Sequence, residues 1–66
     1  MLNRQTDKGL IDIACTLQHE TERAWLIDTG DPQPVWIPKS QGEYYAEGKT
    51  EIMTMPMWLA REKGLI

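Results

Sequence analysis

The chain has one cysteine, no phenylalanine, and no apolar run near the roughly 20 residues that a membrane-spanning helix needs. Each absence excludes something. Cys15 has no second cysteine within the chain, so an internal disulfide framework of the kind that staples small secreted domains is ruled out. A lone thiol beside four methionines suits a reducing interior, and Met1–Asp7 carries no signal-peptide pattern, so a cytoplasmic location is expected. A basic excess is missing too. Seven Lys and Arg stand against ten Asp and Glu, and the cations are scattered from Arg4 to Lys63. That balance counts against nucleic-acid binding, which usually needs a concentrated basic patch. The acidic excess of three is in turn too small for a mimic of DNA.

Chemistry-bearing patterns are equally sparse. Cys15 and His19 supply two ligands where a closed zinc site takes four, and His19–Glu22 (H-E-T-E) lacks the second histidine of a metalloprotease helix. No metal and no cofactor is expected. Gly42, Gly48 and Gly64 stand alone, so there is no phosphate-cradling loop. The carboxylates Glu20, Glu22, Asp28, Asp31, Glu43, Glu47 and Glu51 are spread along the chain, and the sequence singles out no pair for acid–base work. With 66 residues there is little room for a pocket that shifts a pKa, so no catalytic residue is assigned and no enzyme is expected.

What is present is organised around Arg23–Lys39 (R-A-W-L-I-D-T-G-D-P-Q-P-V-W-I-P-K), where two apolar runs flank a cluster of Gly, Asp and Pro. This is the signal of a β-hairpin with a loop of several residues. Strands are expected over roughly 23–29 and 35–37, with Pro38 ending or bending the ladder. Register decides the tryptophans. Pairing Trp25 or Ile27 with Trp36 puts Trp25 and Trp36 on one face, and a slip of one residue separates them. Either way both faces carry large apolar groups, so the hairpin needs covering twice.

Upstream, residues 1–9 are polar and read as a frayed start. From Leu10 the pattern alternates, with Ile11, Ile13, Cys15 and Leu17 on one face of a strand, and H-E-T-E turns the chain. Downstream, residues 39–42 read as a turn or single helical turn with Ser40 as a cap, and residues 43–47 and 50–55 as two strand-like pieces around Gly48-Lys49, forming a second hairpin or one bulged strand, so that four or five strands are expected in all. Met53 and Met55 fall to the core, with Met57 more exposed. A helix over 56–63 closes the chain. Pro56 suits its first position, Gly64 its left-handed exit, and Leu65 packs back on Ala60. Two turns are too short to persist alone, so the helix must dock, through Met55, Trp58, Leu59 and Leu65.

One domain over residues 1–66 follows, with a β meander over 10–55 and the helix after it. Its class is mostly β: a small antiparallel meander or partial barrel of SH3- or OB-like type with a short C-terminal helix. Val35–Gln41 (V-W-I-P-K-S-Q), preceded by A-W-L-I-D and followed by M-P-M-W-L-A-R-E-K-G-L, resembles a group of small uncharacterised phage and prophage proteins. The likeness runs from Arg23 onward and covers about two-thirds of the chain. It implies a phage-related origin and no catalytic role. Small phage proteins often act by binding, as host-takeover or anti-defence factors.

The aromatics carry the functional expectation. Trp25, Trp36, Tyr44, Tyr45 and Trp58 are the whole set, and Trp and Tyr are favoured at interfaces. Core filling competes for Trp25 and Trp58 in a chain with few other large apolar residues. The expected partner-binding residues are Trp36, Lys39, Tyr44, Tyr45 and Trp58. The function read from them is a non-enzymatic binding module whose partner is a host protein or a second copy of the chain, as a homodimer. The alternative is a single-stranded nucleic-acid accessory protein that stacks bases on the same aromatics beside Lys39.

Overall fold

Period-two alternation becomes extended backbone almost everywhere the sequence carries it. The structure, a computed structural model, describes residues 9–66. Its elements are β1 (Leu10–Ala14), β2 (Thr16–Glu20), β3 (Ala24–Asp28), β4 (Val35–Pro38), β5 (Glu43–Glu47), β6 (Thr50–Pro56) and a helix, α1 (Met57–Glu62). The expected frayed start lies, except for Gly9, outside the described residues. The class is as expected, a mostly β chain with a short terminal helix. No helix among the described residues is long and apolar enough to cross a membrane.

The six strands form two antiparallel three-stranded sheets, ordered β1-β6-β5 and β2-β3-β4. This is one or two strands more than the four or five expected. The alternating run from Leu10 is cut at Cys15, and its two halves serve different sheets. The chain bends there because its partner changes. β1 pairs with β6 from Leu10↔Pro56 to Ala14↔Ile52, and β2 then pairs with β3 from Thr16↔Asp28 onward. The β1–β6 ladder runs one rung past each end, with Met57 N–H donating to Gly9 O (2.8 Å) and Cys15 N–H to Glu51 O (3.1 Å).

Turn chemistry fixes the hairpins. In the β5–β6 hairpin Glu47 faces Thr50 across a two-residue loop. Gly48 there has φ +60°, while Lys49, like every described residue other than glycine, does not have positive φ, the pattern of a type II′ turn. Between β3 and β4, Asp28 Oδ1 accepts the Gly30 N–H at 2.8 Å, an Asx-turn that leaves Gly30 in the left-handed region at φ +97°. The turn after β2 is not H-E-T-E as a whole, since His19 and Glu20 belong to the strand. It starts at Thr21, whose hydroxyl accepts the Arg23 and Ala24 N–H groups. After β4 the chain turns simply, with Gln41 N–H on Pro38 O, and Ser40 caps no helix.

The core lies between the sheets and under the helix. Ile27, Ile37, Met53, Met55, Leu59 and Ala60 are buried, with Ile11, Ile13, Cys15, Leu17, Trp25, Val35, Tyr44 and Leu65 packed around them. Each fully buried large aliphatic or methionine side chain contributes about 1.5–3 kcal/mol, so the four large ones at zero exposure (Ile27, Ile37, Met53, Met55) supply much of the stability. Met53 and Met55 are thus core, as expected, and Met57 is half-buried.

The helix packs against β6 and β1, while Ile27 and Ile37 of the β3–β4 hairpin join the same core. Pro56 takes the N-cap position rather than the first helical one, with extended ψ (145°), because it still pairs with Leu10 in the sheet. The exit is a Schellman motif: Leu65 N–H bonds Ala60 O (2.8 Å), Gly64 N–H bonds Arg61 O (3.1 Å), and Gly64 has φ +77°. Leu59 and Ala60 make the docked face. Trp58, expected to dock, instead points outward at 54% exposure. The reason is angular: neighbours on a helix are 100° apart, so a short helix that buries Leu59 and Ala60 turns Trp58 away.

Gly42 joins β4 to β5 at the tightest point between the sheets. A Cβ there would lie 3.1 Å from both Ile37 Cγ2 and the Thr54 carbonyl oxygen, and the carbonyl is held in the sheet. Gly42→Ala is expected to lower unfolding stability by about 1–3 kcal/mol through overpacking, measured as a reduced urea midpoint at unchanged slope.

Candidate functional site

The β3–β4 register sets the surface. Leu26 faces Trp36, and Trp25 faces Ile37. This is the register that separates the tryptophans. Trp25 points inward beside buried Ile37, and Trp36 points outward. A bulge between Leu17 and His19 then brings His19 opposite Leu26 and Glu20 opposite Trp25. Strict alternation would have put His19 on the Leu17 side. The extra residue, Gln18, moves it to the outer face, where its ring meets Trp36 edge-on at 6.1 Å and 88°. Trp36 is 42% exposed there beside half-buried Leu26. Cys15 packs on the core while His19 faces outward, so they do not address a common ion.

On the inner side, Trp25 and Tyr44 stack at a 38° tilt with centroids 6.2 Å apart. The Lys39 ammonium lies 5.4 Å from the Trp25 ring centroid and donates to Glu20 Oε2. The bulge and the β4 turn thus place an ion pair over an indole, where the ring's negative face favours the cation. Next to them a groove of 630 Å³ runs along β5. Trp25, Tyr44 and Tyr45 line it with aromatic rings, together with Ile52, Gly42 and Thr54, and Asp12 and Glu43 bring carboxylates. Thr54 is buried and its hydroxyl donates to Asp12 Oδ1. Tyr45 is 54% exposed, and its phenol donates to Glu47.

Glu51 ties this region to the core. It shares the inward side of β6 with Met53 and Met55, yet carries a charge. Its Oε1 accepts the Leu17 N–H and the Tyr44 hydroxyl, both at 2.8 Å. These bonds favour the ionised form, so the Glu51 carboxyl is held below its usual range, first by the Leu17 N–H and then by Tyr44. In return the Tyr44 phenol is pushed up to about 12, chiefly by its hydrogen bond to Glu51. Burial, with the Glu51 charge behind it, raises the Cys15 thiol to about 11, which keeps it protonated at neutral pH.

The structure brings three of the five expected binding residues to one region. Tyr44 and Tyr45 line the groove, and Lys39 caps the Trp25 that forms its far wall. Trp36 lies on the outer face of the second sheet with His19, and Trp58 stands on the helix. Trp25, for which core filling was favoured, does pack against the core, and its half-buried ring also lines the groove. Sequence reasoning counted Glu51 as one more scattered carboxylate. The available signal was its position, two residues before Met53 and four before Met55 in an alternating run. No family model, curated protein or solved structure matches this chain.

The paired shifts give opposite pH limits. Glu51 is depressed in the folded state, so its contribution is present above the unfolded carboxylate pKa and is lost as pH falls through the lower folded value. Tyr44 is raised, so its contribution is present below about 10 and is lost as pH climbs towards 12. Glu51→Gln is expected to lower the urea midpoint at pH 7, flatten its decline at acid pH, and return the Tyr44 phenol towards 10. Urea melts across pH and ultraviolet titration of tyrosinate, with Tyr44→Phe to assign the signal, would check all three.

Proposed function

We propose that this chain is a small non-enzymatic binding module, phage-borne and cytoplasmic, that acts by protein–protein contact on a host protein or on a second copy of itself. The observation that carries this reading is the placement of the aromatics. Trp36, Tyr45 and Trp58 are 42%, 54% and 54% exposed, although the domain is small enough to need every large side chain in its core. Trp and Tyr left at the surface are the residue types from which binding hot spots are built. The helix packs on the other sheet, and the hairpin's outer face keeps Trp36 exposed beside Leu26, which supports self-association or an outside partner equally. A partial barrel of SH3- or OB-like form, open beside β5, is the architecture we assign to it.

Single-stranded nucleic acid is the rival ligand. Lys39, which lies over the Trp25 ring, is committed to Glu20 as well, and the groove beside it carries carboxylates, so the charge disfavours a phosphate backbone.

Two measurements test the reading. Light scattering over a concentration range reports self-association. Affinity capture from host lysate, repeated with Trp36→Ala, Tyr45→Ala and Trp58→Ala, reports the outside partner. At least one substitution is expected to weaken dimerisation or capture by tenfold or more, the scale of about 1.4 kcal/mol, with the melting temperature within a few degrees of wild type. A strictly monomeric chain with no partner above background would overturn the proposal. Oligonucleotide binding that falls steeply with salt would replace it with the rival.

A further inference from the structure

We infer that β5 pairs with β5 of a second copy, antiparallel about Ala46, and so joins two molecules through one continuous six-stranded sheet. This rests on the binding-module reading and names the surface through which the chain meets itself.

Ladder parity decides which backbone groups stay open. Glu47 and Thr50 flank a two-residue turn and so exchange hydrogen bonds, as do Tyr45 with Ile52 and Glu43 with Thr54. The N–H and C=O groups of Tyr44 and Ala46 therefore point away from β6, along an outer edge of the sheet. The other three outer strands are less open. In β4 the Lys39 N–H on Arg23 O sets Val35, Ile37 and Lys39 towards β3, so Trp36 and Pro38 face out with a single N–H between them. β2 carries the bulge, and its Leu17 N–H is taken by the Glu51 side chain. β1 is half-buried at four of its five residues. β5 is exposed at four of five and has neither proline nor bulge.

Register selects the second copy as the occupant. Through Tyr44 and Ala46, the strand can meet itself centred on Tyr44, Tyr45 or Ala46. Centred on Tyr45, it sets Glu43 against Glu47 of the second copy twice, and like charges directly opposite destabilise a ladder. Centred on Tyr44, it draws on Gly42, which lies at the tightest point between the sheets. Centred on Ala46, it uses the end where every residue from Tyr45 to Thr50 is exposed. Ala46 then exchanges two hydrogen bonds with Ala46 of the second copy. Tyr45 stands opposite Glu47 of the second copy, on both sides of the two-fold axis. Within one chain the Tyr45 phenol already donates to Glu47, so the strand carries a matching donor and acceptor to offer across the axis. Lys49, in the turn just beyond, comes to the glutamate-bearing strand of the second copy. β5 is thus complementary to itself in hydrogen bonding and in charge. The contact is small, below the roughly 1,200 Å² of stable complexes, so the dimer is weak and concentration-dependent.

Sedimentation velocity of the full chain, from about 10 μM to about 1 mM, tests the pairing over the range of weak interfaces. The expected result is a monomer–dimer equilibrium that shifts to dimer towards the upper end. Ala46→Pro removes an outward N–H and no hydrogen bond within the chain, and is expected to weaken dimerisation tenfold or more. Trp36→Ala and Trp58→Ala should leave it unchanged. A cross-link reads the same contact without relying on the fold of the proline variant. Ala46→Cys sets two Cα atoms about 5.5 Å apart across the axis, within reach of a disulfide. It should give a covalent dimer in a redox buffer, whereas Tyr45→Cys, offset by two residues, should not. The wild-type chain, whose Cys15 packs on the core, is the control. A strictly monomeric chain at the highest concentration, a dimer indifferent to Ala46→Pro, or faster cross-linking through Tyr45→Cys would overturn the inference. Capture of a host protein by a monomeric chain, or a dimer lost with Trp36→Ala, would leave the binding-module reading standing while this one fell.

Discussion

The Glu51 carboxylate bridges the two sheets at their seam. Along β6, alternate residues bond to the strand that begins at Leu10, and Glu51 O meets Cys15 N–H as the last backbone rung. The next donor along that strand is Leu17 N–H, but by then the partner chain has turned away at Gly48-Lys49. The Glu51 side chain reaches past the end of its own ladder and supplies the missing acceptor. An unpaired N–H at the seam would cost about 1–3 kcal/mol, which this domain can ill afford. The same oxygen takes the Tyr44 hydroxyl, so one carboxylate joins β6, β2 and β5.

Much of the candidate site follows from that seam. With β2 committed to the second sheet, the bulge at Gln18 turns Glu20 towards Trp25, and Lys39 closes over both. With Tyr44 anchored, its ring stands against Trp25, and both line the groove. The arrangement is economical: the residues that fix the sheets also shape the surface beside them. Exposed Trp36 and Trp58 stand apart from this network and owe their positions to the hairpin register and to the helix's docked face.

The strands and the helix were legible wherever local rules dominate. The alternation of Ile11, Ile13, Cys15 and Leu17 does mark a core-facing row, and Gly64 does end the helix. Where the reading missed, a non-local term had won. The run from Leu10 is one strand by pattern and two by pairing, because a change of partner leaves no mark on alternation. His19 was assigned to a turn because its neighbours are polar, yet it pairs in β2 opposite Leu26. Trp58 was offered both for docking the helix and for binding a partner, and the short helix buries only one narrow stripe, which leaves it exposed.

By itself the sequence determined the class of fold, the hairpin signals, the methionine core and the helix exit, all set by period, turn residues and propensity within a few positions. Only the tertiary structure decided which side of a strand faces water, that Glu51 bridges two sheets, and that Trp25, Tyr44 and Tyr45 share a groove with Asp12. Those facts depend on register and on a bulge. A shift of one residue in either reverses every face along a strand while leaving the local sequence signal unchanged.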